Sequence, residues 1–152
     1  PDEAIQRIEI CHKPYHDALH KTIDIVLEKY KNCVLIDCHS MPPNDQLERP
    51  LADIILGDLH HNTLDRNLGN RLQEHIVGLG YSAVWNLPYA GGYITKKYGR
   101  MNSRVQTVQI EINRKLYMDN GLCINDEGLR RIQTLFQSIC TFLRTKIEGG
   151  FS

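Results

Sequence analysis

The chain has 152 residues, with 18 Lys plus Arg against 18 Asp plus Glu, and 41% of it is apolar. That length supports one domain with a sizeable core, and the neutral charge balance argues against a nucleic-acid partner, which selects a basic surface. No apolar run approaches the roughly 20 residues that span a bilayer, so no membrane partner is expected. The opening PDEAIQRIEI lacks the basic-then-apolar order of a secretory leader. Cysteines stand at 11, 33, 38, 123 and 140, an odd set without a C-x-x-C pair. A reduced, cytoplasmic setting is the simplest expectation.

Along the first 31 residues, Ile5, Ile8, Tyr15, Leu19, Ile23, Leu27 and Tyr30 recur at helical spacing. Pro14 is expected to kink or divide that helix. Residues 33–38 (CVLIDC) suit a buried strand, and the proline-rich 40–52 a loop. DIILGD at 53–58 suits a second buried strand. Thr63 is placed to cap a helix carrying Leu64, Leu68, Leu72, Ile76 and Leu79, which Gly80 ends. SAVWNL at 82–87 reads as a third strand. The Gly- and Tyr-rich PYAGGYITKKYGR reads as a loop, with a short strand at YIT. VQTVQIEIN at 105–113 alternates Val105, Thr107, Gln109 and Glu111 against Gln106, Val108, Ile110 and Ile112. A last amphipathic helix is expected from about 126 to 146.

Buried strands alternating with amphipathic helices predict a single α/β domain over residues 1–152, with a mainly parallel or mixed sheet flanked by helices. Ligands of such sheets sit beyond strand carboxyl ends. His39 follows the first strand, Asp58 and His60 the second, and Asn86 ends the third. Their placement predicts one shared cleft.

Within that frame, His39 at a strand exit is a candidate metal ligand, or else a hydrogen-bonded strand-end imidazole. Asp37, two residues earlier, is a candidate for orienting neighbouring groups, although alternation aims it with His39 and not against its ring. Glu111 lies between Ile110 and Ile112, on the face opposite theirs. A carboxylate there is functional, paired, or exposed on an edge strand, because a lone buried charge is costly. Gly91-Gly92-Tyr93 lets backbone approach a ligand closely, and Arg100 and Arg114 are candidate carboxylate grips. His60 and His61 are adjacent, so only one of them is expected to face a cleft. His12, His16 and His20 form a stripe that reads as a solvated helix face. No nucleophile elbow, P-loop or dinucleotide fingerprint occurs.

The ordered set CHKPYH (11–16), LIDCHSMP (35–42), ADIILGD (52–58), PYAGGYIT (88–95), YGR (98–100), QIEINR (109–114) and LYMD (116–119) resembles the N-formylglutamate amidohydrolase family. The resemblance implies a zinc carboxypeptidase-like fold, a Zn²⁺ cofactor and hydrolysis of an N-acyl amino acid amide, foremost N-formyl-L-glutamate. It implies that His39 is a zinc ligand and Glu111 the general acid/base. Arg100 and Arg114 are then the anion-binding groups, with Tyr93 and Asn86 lining the substrate. The remaining zinc ligands are expected from residues preceding Pro1, this chain being the later part of a longer amidohydrolase domain. The expected partner is a small N-acyl amino acid. Two alternatives stay open: a non-catalytic anion-binding relative without the upstream ligands, and a different amidohydrolase or peptidase on the same framework.

Overall fold

A computed structural model describes residues 2–100, 103–119 and 123–148. The chain begins with α1 (Asp2–Arg7), a π-helical turn (Ile8–His12) and α2 (Lys13–Tyr30). Pro14 sits in the first turn of α2, where its missing N–H costs nothing. The expected division therefore falls at the π-turn, just before it. Strand β1 (Cys33–Met41) is three residues longer than its apolar run predicts, because Cys38 to Met41 remain paired to a neighbour. Strand β2 (Ile54–Gly57), helix α3 (Arg66–Gly78), strand β3 (Ala83–Trp85), helix α4 (Tyr93–Tyr98), strand β4 (Val105–Asn113) and helix α5 (Asp126–Glu148) follow.

The sheet order is β1-β4-β2-β3. Strand β4 lies parallel to β1 and antiparallel to β2, while β2 and β3 are parallel. The sheet is therefore mixed. One consequence corrects the expected cleft: the carboxyl end of β1 lies at the opposite end of the sheet from those of β2 and β3. Strand direction leaves no mark on hydrophobic alternation, so the sequence alone suggested convergence.

Burial explains the layers. Val108, Ile110 and Ile112 of β4 join Ile54 and Leu56 of β2 in a core with Leu68, Leu72 and Ile76 of α3 and Ile132, Leu135, Ile139 and Leu143 of α5. Each fully buried aliphatic side chain contributes about 1.5–3 kcal/mol. On the other face, Ile23, Cys33 and Tyr98 pack with Leu19, Leu27, Leu35 and Ile94, which seats α2 and α4 on the sheet.

Two local expectations need correction. The cap of α3 is Asp65, whose Oδ1 accepts from the Leu68 N–H at 2.9 Å. Thr63 is buried instead and donates to the Thr107 carbonyl at 3.0 Å. The YIT segment is the start of helix α4. Its β-branched residues suggest a strand, but Thr95 is wholly buried against β4, where Thr107 donates to its carbonyl at 3.0 Å. Among the described residues, no helix is long and apolar enough to cross a membrane.

Candidate active site

Register builds the site. Parallel pairing of β1 and β4 sets His39 opposite Glu111 and Asp37 opposite Gln109. Because paired residues share a face, the four side chains occupy one patch of the sheet. Strand β4 is flanked on both sides, so Glu111 is not on an edge strand and is only 5% exposed.

A buried carboxylate needs partners, and Glu111 has two. Gln109 Nε2 donates to Glu111 Oε1 at 2.9 Å, and His39 Nδ1 stands 3.7 Å from the same oxygen. Burial raises the Glu111 carboxyl above its ordinary range, while His39, the Gln109 bond and Arg114 pull it back. A carboxyl raised in this way holds a proton more readily than an exposed one, which suits acid–base work.

Asp37 does what alternation argued against. Its Oδ1 lies 3.2 Å from His39 Nε2, because the two side chains, on one face, lean together. Asp37 thus holds one nitrogen of the His39 ring, as an outer carboxylate commonly does for a ligating histidine, while the other nitrogen faces Glu111. His39 and Asp37 therefore fit one metal ligand and its outer support. Among the described residues, no three His, Cys, Asp or Glu side chains form a group that could hold a metal ion.

The remaining candidates fall in different places. Arg114 donates through Nε to Ser40 Oγ at 3.3 Å, at the β1 and β4 carboxyl ends beside the patch. Arg100 donates to the carbonyls of Lys96 and Gly99 at 2.8 and 2.6 Å, and so caps α4. Asn86 belongs to a polar cluster just past the end of β2, whose last residue Gly57 pairs with Gln109. There its Nδ2 donates to Asp58 Oδ1 at 2.9 Å and its Oδ1 accepts from the Asp58 N–H at 3.1 Å. Of the adjacent histidines, His61 contacts Asp58, with Nδ1 at 3.2 Å from Oδ2. Tyr93 opens α4 and is well exposed.

Gly92, immediately before Tyr93, packs on the patch. A Cβ added there would stand 3.1 Å from Gln109 Oε1. The loop before α4 thereby reaches the residue that bonds Glu111. Gln109 itself was passed over in the sequence, although its place two residues before Glu111 on one strand face was the available signal. The histidine stripe is not uniformly solvated either: His16 is buried, and its Nδ1 hydrogen-bonds with Tyr98 Oη at 2.5 Å. A separate cavity of about 300 Å³ between α2, β1 and α5 is lined by groups such as Val26, Val34, Ile36 and Leu143. Its lining includes no carboxylate or imidazole.

The family model described as N-formylglutamate amidohydrolase matches residues 1–118. An N-formylglutamate deformylase of Pseudomonas putida is 31% identical over 121 residues, covering 78% of this chain and 45% of that protein. A second, from Pseudomonas aeruginosa, is 30% identical over 109 residues, covering 70% of this chain and 41% of that protein. The crystal structure of an N-formylglutamate amidohydrolase from Ralstonia eutropha JMP134 is 30% identical with a TM-score of 0.79, covering 97% of this chain and 54% of that one. The chain spans less than half the length of the curated relatives it matches.

Proposed function

We propose that this chain, which belongs to the N-formylglutamate amidohydrolase family, carries the acid–base half of a zinc-dependent amidohydrolase that cleaves N-formyl-L-glutamate to formate and glutamate. The observation that carries the reading is Glu111: a carboxylate buried on a central strand, hydrogen-bonded by Gln109 and facing the imidazole of His39. A buried charge is retained where chemistry requires it, and perturbed carboxyls concentrate at functional sites.

In this reading His39 would be one zinc ligand, with Asp37 fixing its ring, and the remaining ligands would come from elsewhere in the complete enzyme. When bound, zinc would polarise the formyl carbonyl and acidify water. Glu111 takes a proton from the attacking water and passes it to the leaving nitrogen, so the amide C–N bond breaks with a neutral amine departing. Gln109 holds Oε1 of that carboxylate, which leaves Oε2 to face the substrate. Arg114, beside Ser40 at the strand ends, supplies positive charge for a substrate carboxylate or a developing oxyanion. Arg100 is engaged in capping α4 and is given no part in the chemistry; Asn86 is likewise committed to Asp58. The small-molecule substrate and the acidic amino acid it releases are named from the relatives' activity.

The test is formate release from N-formyl-L-glutamate by the complete enzyme and by its Glu111→Gln variant. Release that persists at the wild-type rate in the variant removes Glu111 from the mechanism.

A further inference from the structure

Helices α2 and α4 meet in a cluster of rings and cations that the hydrolytic chemistry leaves unused. The His12 and His16 rings lie 4.2 Å apart, centroid to centroid, and Tyr93 lies 5.7 and 5.4 Å from them. Lys97 places its Nζ 5.4 Å from the Tyr93 ring centre and 5.6 Å from that of Tyr98. His16 is wedged beneath, stacked on Tyr98 at 5.6 Å. Imidazole N–H, phenol O–H and ammonium are all hydrogen-bond donors.

Lys97 brings a positive charge to the cluster. Lys97, His12 and His20 all act on His16 as like charges and, with its burial, hold its imidazole below the ordinary range. The acid in reach is Asp17, whose Oδ2 is already paired with Lys13 Nζ at 2.7 Å. Hydrogen-bond donors and the Lys97 ammonium among aromatic walls select an anion with a short apolar stem.

Its position connects it to the patch. Glu111 bonds Gln109, Gln109 abuts Gly92, and Gly92 precedes Tyr93. Helix α2 passes over the same sheet face, with Leu19 and Ile23 seated by Leu35 and Tyr98. From Ile23 toward His12 it therefore leads past α4 to Tyr93, at the helix end nearest Gln109. Gly92 thus lies between the Glu111 patch and this cluster.

We propose that His12, Tyr93 and Lys97 form the subsite for the side-chain carboxylate of an acidic N-acyl amino acid, and so set the preference for glutamate over neutral residues. The proposal rests on the reading of Glu111 as the hydrolytic base. His12 and Lys97 are both exposed, so Lys97→Met and His12→Gln alter the surface without opening the core.

The experiment compares kcat/KM for N-formyl-L-glutamate with that for N-formyl-L-glutamine in the complete enzyme. Each substitution should lower the glutamate-to-glutamine ratio about ten-fold or more, mainly through KM, as expected for losing a charge-assisted hydrogen bond. Lys97→Arg, which keeps the charge, should retain the preference. A purely structural role lowers both substrates together and leaves the ratio fixed, and that result overturns the proposal. Binding is read independently from the imidazole NMR signals of His12 and His16 as glutarate is added. Shifts that vanish in Lys97→Met support the subsite even if no N-formyl amino acid is hydrolysed, an outcome that would sink the catalytic reading alone. Glutarate that moves neither signal overturns the subsite.

Discussion

Replacing Glu111 with Gln separates catalysis from stability, because the structure predicts opposite effects on the two. The carboxylate is 5% exposed and its Oε1 accepts from Gln109 Nε2 at 2.9 Å. A glutamine keeps that Oε1 acceptor and nearly the same volume, so the hydrogen bond and the packing between Gln109 and His39 survive. What disappears is a buried negative charge whose carboxyl burial already holds above its ordinary range. Removing a desolvated charge without leaving an orphaned partner is neutral or stabilising. Thermal unfolding should therefore show a Tm equal to or above wild type. Turnover should fall by about 10²-fold or more, or roughly 2.7 kcal/mol in the barrier, since no proton acceptor remains at that position. KM should change less, because the loss falls on the transition state. Formate release under saturating N-formyl-L-glutamate measures the first quantity and a thermal melt the second. A variant that turns over normally, or one that is inactive only because it melts far below wild type, refutes the reasoning.

Other perturbations bear on neighbouring parts of the fold. His39→Ala should lower zinc content and activity together while the circular dichroism spectrum is kept, because the imidazole is 48% exposed at the sheet edge; full zinc occupancy in the variant would remove His39 from the metal. Gly57→Ala should cost about 1–3 kcal/mol in urea unfolding, because the new Cβ would stand 2.7 Å from the backbone of Ala90 and Gly91. Stability should also fall on acidification through His16. Burial, Lys97, His12 and His20 hold its imidazole below 6.5 in the folded state, so above that pH both states are neutral. As the pH drops through 6.5 the unfolded chain takes the proton first and gains relative stability. Urea midpoints at about pH 7.5 and about pH 5.5 should differ less in His16→Gln than in wild type.

What the sequence revealed depended on how local the cause was. The β4 segment was legible in full, since period-two alternation over nine residues is a property of the segment itself. So were the α5 stripe and the Leu68, Leu72 and Ile76 part of the α3 stripe, whereas Leu64 precedes the helix and Leu79 is exposed. The pairing of His39 with Glu111 is not local: it depends on two strands separated by more than sixty residues adopting one register. No periodicity encodes that, and only the resemblance connected them. Asp37 was misjudged because alternation fixes which face a side chain takes, but not how far it leans along that face. Helix α4 was misread because Tyr, Ile and Thr favour strands, while the burial of Thr95 and Tyr98 under α2 and over β4 decided for helix. The same non-local contact hid His16, whose partner Tyr98 is 82 residues away.

The polar cluster past the end of β2 explains how a glycine loop comes to rest on Gln109. Leu59, His60, His61 and Asn86 all have positive φ, of 53°, 57°, 68° and 60°. Each costs about 1–2 kcal/mol relative to ordinary backbone, so something must hold them. Asp58 does so: it is 1% exposed, and its Oδ1 accepts both the His61 N–H and Asn86 Nδ2. The left-handed turn this produces aims the Leu59 N–H at the Ala90 carbonyl, 2.7 Å away. That bond, with Gly57 beneath it admitting the Ala90 backbone, fixes the loop that ends in Gly91 and Gly92. Gly91 takes φ 121°, a conformation open to glycine, and delivers Gly92 against Gln109 Oε1. Asp58 and Asn86 thus act on the Glu111 patch from a distance through backbone position. Strain at the carboxyl ends of β2 and β3 is offset by a buried carboxylate, and its product is the placement of a loop at the other strands' active face.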